Sequence, residues 1–124
     1  MKTLDQEMAG KVYEKVKGRE STPDVKKYGA MAHKLPILVR TAGLAEALAF
    51  VESRGNDSHK ELLNDLAYVV MGKGGAAFAA KSREAEMQEY MYLTRRTMLA
   101  LKWFKRFAQS VLKVDATQDE GDKQ

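Results

Sequence analysis

Between Tyr28 and Phe50 the chain reads YGAMAHKLPILVRTAGLAEALAF, an apolar pattern interrupted once by a proline and once by a glycine. On a wheel of about 100° per residue, Tyr28, Met31, Ala32, Leu35, Leu38, Val39 and Ala42 share one side. Lys26, Lys27, His33, Lys34 and Arg40 fall on the other, so this segment builds core with one face and offers cations with the other. Gly43 supplies a left-handed stop, and Leu44, Ala47, Leu48 and Val51 begin a new stripe with almost no linker. Two helices joined this tightly pack on one another or on a shared neighbour.

The same periodicity lays out the remaining elements. Leu4, Met8, Val12 and Val16 mark a first helix over residues 3–17, with Thr3 and Gln6 spaced as a capping box. Thr22-Pro23-Asp24 restarts a helix over 23–42, with Thr22 as cap and Pro23 at the first helical position. Pro36 predicts a kink or break near residues 33–35, because proline removes a backbone donor and crowds the carbonyl four residues earlier. A third helix covers 44–54 and ends at Gly55. Ser58 and Glu61 suggest the capping box of a fourth, which carries Leu62, Leu63, Leu66, Val69 and Val70 and stops at Gly72. Residues 76–80 predict one short helical turn, and a long last helix spans from 82 or 83 to 113. No stretch alternates as a strand does. The predicted fold is all-α: a compact single-domain bundle of about five to six helices with a long C-terminal helix.

Composition narrows the setting. The 124 residues are 44% hydrophobic, drawn from Ala, Leu, Met and Val with Ile37 the single isoleucine, a helical rather than β bias. Cysteine is absent, which removes disulfides and thiolate metal sites. No apolar run approaches the ~20 residues of a membrane span, and acids stand at the N-terminus where a secretion signal needs an apolar core. A soluble cytoplasmic protein is expected.

Charge is distributed unevenly. Residues 115–124 hold Asp115, Asp119, Glu120 and Asp122 against Lys123, a net −3, so a chain of +4 carries +7 on residues 1–114. The acidic end lacks apolar residues and is expected to form a disordered tail after a helical domain of residues 1–114. A basic body with an acidic tail suits a polyanion partner, and it equally suits plain solubility.

Catalytic chemistry finds little support. His33 and His59 are the only histidines, and neither has a spaced partner for a metal. Glu84, Glu86 and Glu89 lie at helical spacing among cations, as on a solvated face. Lys73-Gly74-Gly75 follows no strand and lacks a Gly-Lys-Ser/Thr pattern, so it reads as a helix–helix connection rather than a phosphate loop. The expectation is a non-enzymatic protein with no cofactor, no metal and no small-molecule substrate, in which His33 makes a surface or partner contact.

Two basic rows stand out instead. Lys26, Lys27, Lys34 and Arg40 form one, and Arg95, Lys102, Arg106 and Lys113 the other. Cations along a helix that rises about 1.5 Å per residue can follow phosphates, giving contacts to backbone without reading sequence. A solvated face accounts for the same pattern. Tyr92, Leu99 and Trp103 beside the second row suit a docking patch for another protein, or core if they pack beneath the helix.

The block Tyr28-Gly29-Ala30-Met31-Ala32-His33-Lys34-Leu35-Pro36 is followed by Ala42-Gly43-Leu44-Ala45-Glu46-Ala47-Leu48-Ala49-Phe50. Later come Tyr90-Met91-Tyr92-Leu93-Thr94-Arg95 and Leu101-Lys102-Trp103-Phe104-Lys105-Arg106-Phe107-Ala108. In order and spacing, over roughly residues 3–113, these blocks resemble the small subunit of the Cmr complex, the type III-B CRISPR effector (RAMP module). The resemblance implies a non-catalytic, all-helical subunit in antiviral defence. Copies of it would stack into a minor filament and touch target RNA or the guide–target duplex, and the partners would be other Cmr subunits, crRNA and target RNA. It carries His33, Lys34 and Arg95 over as RNA-contact residues. Lys26, Lys27, Arg40, Lys102, Lys105, Arg106 and Lys113 join them on helix geometry. The small subunit of the related type III-A (Csm) complex and a helical adaptor with solvated basic faces remain as rival readings.

Overall fold

The computed structural model describes residues 1–116; residues 117–124, most of the expected acidic tail, lie outside that range. The described residues form six helices and no strand. They are α1 (Leu4–Lys17), α2 (Val25–Ala42), α3 (Leu44–Arg54), α4 (Asp57–Met71), α5 (Gly75–Glu84) and α6 (Met87–Ser110). One core holds them together, with Tyr28, Met31, Leu35, Leu48, Leu62, Leu66, Phe78, Leu101 and Phe104 fully buried. The all-α expectation is met.

Local signals placed several boundaries correctly. Thr3 and Gln6 make the reciprocal capping box, Gln6 N–H to Thr3 Oγ1 at 3.0 Å and Thr3 N–H to Gln6 Oε1 at 2.8 Å. α3 spans the expected 44–54, and Gly55 and Gly72 close α3 and α4 in the left-handed conformation. Gly43 has a positive φ of 93°, but its ψ of 160° is extended rather than left-handed helical. Only glycine adopts this readily. The residue thereby turns α2 directly into α3.

Other boundaries are decided by packing. α2 begins at Val25, not Pro23, because the Thr22 hydroxyl donates to the Arg19 carbonyl at 2.7 Å and closes a turn instead of capping. α2 also runs unbroken through Pro36. Tyr28 to His33, Leu35, Pro36 and Val39 are all buried, so the helix is enclosed on more than one side by α3, α4 and α6. That burial offsets the roughly 3 kcal/mol that an interior proline costs. The cap of α4 is Asn56, whose side chain accepts from His59 N–H at 2.9 Å. Ser58 is turned inward and donates to the Asp24 carbonyl at 3.2 Å.

The end of the chain departs furthest from expectation. The single turn after Gly75 is a ten-residue helix, and extended backbone at Ala85 and Glu86 separates it from α6. No glycine or proline marks this corner in the sequence; α5 packs on α3 and α4, while α6 packs mainly on α1 and α2 and shares α4 with it. Lys81 and Glu89 bridge it at 3.1 Å. α6 then stops at Ser110, and Lys113 takes a positive φ of 62°.

A buried polar network ties the segment after α1 and the start of α2 to α4. Asp65 receives Arg19 Nε–H and one terminal N–H of its guanidinium, each at 3.0 Å, and the Tyr28 hydroxyl at 2.6 Å. Asp65 is buried, so these donors replace the water its carboxylate has lost.

Candidate nucleic-acid interface

α2 and α6 lie antiparallel. Val114, just past the end of α6, sits against Gly29 near the start of α2, while the Tyr90 hydroxyl near the start of α6 accepts the Ala45 N–H just past the end of α2 at 3.0 Å. Between these points the helices leave a groove of about 380 Å³. Arg40 and Pro36 line it from α2; Lys102, Lys105 and Arg106 line it from α6, with Met98 and Gln109. Arg40 of the first row thus meets Lys102 and Arg106 of the second, with Lys105 beside them, and the lining holds four cations and no acid.

Helical spacing explains the convergence. Pro36 and Arg40 are one turn apart on α2, and Met98, Lys102, Lys105 and Gln109 repeat at four, three and four residues on α6. Arg95, seven residues before Lys102, continues that stripe and is exposed. Lys102 is not entirely available: its Nζ lies 3.0 Å from Asp5 Oδ1 on α1. Both partners are largely solvated, so the pair is weak and salt-sensitive.

The remaining candidates sit elsewhere. Lys26 is exposed and Lys27 and Lys34 are partly exposed on α2, outside the groove lining. Lys113 lies in the turn after α6, so it does not extend the Arg95–Lys102–Arg106 row along the helix as expected. His33 is a correction too. It is only 6% exposed, and its Nε2 lies 2.8 Å from the Val114 carbonyl, which can only accept, so Nε2 carries the proton. The wheel assigned it to the solvent face, but the segment after α6 folds back over that face. His33 therefore holds the chain end, with its ring buried inside this chain.

The aromatic patch is divided. Tyr92 is 53% exposed, with Met87 and Met91 exposed beside it on the first turns of α6. Leu99 and Trp103 are half-buried against the core. Trp103 stacks on Phe107 at 5.5 Å, and its Nε1–H donates to Asp5 Oδ1 at 2.9 Å.

A larger cleft, about 710 Å³, opens between α1, the end of α4 and α6, and the sequence reading missed it. Lys11, Lys15, Tyr68 and Arg96 line it, together with Glu14. The Lys11–Lys15 spacing was a signal available in advance. Two of its three cations are engaged: Lys15 Nζ lies 4.1 Å from the centre of the Tyr68 ring, and Arg96 Nε donates to the Val70 carbonyl at 3.2 Å. The smaller α2–α6 groove has one more cation in its lining and no acid.

Among the described residues no three His, Asp or Glu side chains are grouped to hold a metal, and no helix is long and apolar enough to cross a membrane. Fold and groove together define a small, basic, all-helical protein with a cation-lined seam between antiparallel helices. The family described as CRISPR-associated protein (Cas_Cmr5) matches residues 4–111. A Cmr subunit Cmr5 of the CRISPR system of Thermus thermophilus is 48% identical over 112 residues, which is 90% of this chain and 98% of that protein. The X-ray crystal structure of a CRISPR-associated Cmr5 family protein from Thermus thermophilus superposes with a TM-score of 0.86, at 48% identity, over 90% of this chain and 99% of that one. The chain belongs to the Cmr5 family.

Proposed function

We propose that this chain is a non-catalytic structural subunit of a type III-B CRISPR Cmr complex that contacts RNA through the α2–α6 groove. Family membership supports the Cmr assignment over the type III-A rival. The observation that carries the RNA reading is the convergence of Arg40 with Lys102, Lys105 and Arg106 in one acid-free groove. Such a surface neutralises phosphates and reads no bases. Arg95 extends it, and Lys26, Lys27, Lys34 and Lys113 add charge around it. The partners are other Cmr subunits, crRNA, target RNA and further copies of this chain. Copies join head to tail, as in a filament, through the exposed Met87, Met91 and Tyr92 at the start of α6.

The test is fluorescence anisotropy with an unstructured RNA over a series of salt concentrations. Affinity should fall steeply with salt and depend little on RNA sequence. Arg40→Glu/Lys105→Glu/Arg106→Glu should abolish binding at low salt while leaving the helical circular-dichroism signal intact. Wild-type binding by that variant overturns the groove assignment, and no binding by any form favours the solvated-face adaptor.

A further inference from the structure

The cleft between α1, the end of α4 and α6 shares no lining residue with the α2–α6 groove. It opens where α4 stops: Gly72 closes that helix in the left-handed conformation and brings no side chain to the cleft. Val69 and Val70 line it as buried apolar side chains. From α1, Lys11, Glu14 and Lys15 reach it, the second and third lying three and four residues after the first and so on one helix face. Its volume of about 710 Å³ falls within the roughly 300–1,000 Å³ of small-ligand pockets.

Two of its side chains are held ready for a ligand. Tyr68 is the most exposed tyrosine of the chain, at 55%. The Lys15 ammonium, 4.1 Å from the ring centre, steadies one face and leaves the other to stack on a flat aromatic group. Arg96 is fixed twice, by its Nε–H on the Val70 carbonyl at 3.2 Å and by its guanidinium carbon 5.8 Å from the centre of the Tyr92 ring. Its terminal nitrogens keep the planar fork that pairs with a phosphate. Lys11 is exposed and adds a second cation. Glu14 accepts hydrogen bonds only, so it suits the amine of a base and opposes a bare anion. The complement of this set is an aromatic group that carries negative charge.

We propose that the α1–α4–α6 cleft binds a nucleoside phosphate, its base stacked on Tyr68 and its phosphate held by Arg96 and Lys11. Stacking tolerates any base, because every base has a π-face. Tyr68 and Arg96 are already ordered, so they lose little freedom on binding. A free mononucleotide and one nucleotide of a single-stranded RNA present the same chemistry. The site stands whether or not the α2–α6 groove binds RNA.

Titration of the full chain with adenosine 5′-monophosphate should shift the backbone amide signals of Lys15, Tyr68, Gly72 and Arg96. Tyr68→Ala changes an exposed side chain and should leave the helical circular-dichroism signal intact, yet weaken the nucleotide about tenfold; Tyr68→Phe should keep it. Lys11→Gln should weaken adenosine 5′-monophosphate but not adenosine, which has no phosphate. A single-stranded hexa-adenylate separates the two sources. Tighter, steeply salt-dependent binding at the same amides assigns an RNA nucleotide, and equal or weaker binding assigns a free one. Equal shifts with inorganic phosphate at the same concentration overturn the stacked base. Shifts confined to Arg40, Lys102 and Arg106, or an unaltered affinity in Tyr68→Ala, overturn the cleft. No shift at the cleft with either nucleotide probe overturns the site, whatever the groove does with RNA.

Discussion

Trp103 and Asp5, ninety-eight residues apart, are joined by an Nε1–H···Oδ1 hydrogen bond of 2.9 Å that pins α1 to α6 at the rim of the groove. Lys102 Nζ adds a second donor to the same oxygen at 3.0 Å. Donation from Trp103, then from Lys102, holds the Asp5 carboxyl below its ordinary value of 3.8. A depressed carboxylate contributes stability that is present above 3.8 and is lost as pH falls through the lower folded value. Trp103 is the single tryptophan, so its emission reports on the bond directly. An acid titration of fluorescence should show a step below pH 3.8, and Asp5→Ala should abolish the step and shift the emission maximum at neutral pH.

Gly29→Ala tests the seat of Val114. The added methyl collides with a branched, buried side chain, which should cost about 1–3 kcal/mol in urea denaturation. In a Val114→Gly background the collision is gone, and alanine gains about 1 kcal/mol over glycine inside a helix. The same substitution should there be neutral or stabilising. A loss of equal size in both backgrounds would mean that Val114 is not the obstacle.

The Arg19–Asp65–Tyr28 network predicts a graded response. Tyr28→Phe deletes one buried hydrogen bond to a charged acceptor and should cost about 1.5–3 kcal/mol. Asp65→Ala strands both the Tyr28 hydroxyl and the Arg19 guanidinium, and should cost more, about 3–4 kcal/mol. Burial, and then the Asp65 charge, push the Tyr28 hydroxyl well above its ordinary 10.0. The unfolded chain therefore loses this proton first, and stability should decline as pH rises past 10.0. Tyr28→Phe should flatten that decline.

Gly75 and Gly72 bracket the glycine-rich connection and should respond differently to alanine. A Cβ on Gly75 would meet Asn64 Oδ1 at 2.8 Å and Leu63 Cγ at 2.9 Å, and the Gly75 N–H donates to that same Asn64 oxygen at 2.7 Å. A Cβ on Gly72 meets nothing within 4 Å, so only its left-handed backbone resists, at a cost of about 1–2 kcal/mol. Thermal melts should place Gly75→Ala below Gly72→Ala.

The apolar period alone determined that this chain is all-helical, where α1, α3 and the end of α4 lie, and which side chains such as Tyr28, Leu48, Leu66 and Phe104 form the core. These follow from local rules: a 3.6-residue repeat, a Thr–Gln capping box and glycines with positive φ. The cationic residues were equally legible one helix at a time. Their meeting was not, because a wheel describes one helix and Arg40 joins Lys102, Lys105 and Arg106 only through antiparallel packing of α2 on α6. The same blindness put His33 on a solvent face, since the segment that covers it arrives from Val114, eighty-one residues later. It also carried the last helix through Ala85 and past Ser110, where no glycine or proline signals a stop. At Ala85 the chain turns so that α5 reaches α3 while α6 reaches α1 and α2, and past Ser110 it turns to seat Val114 on α2, choices made by tertiary packing rather than by local preference.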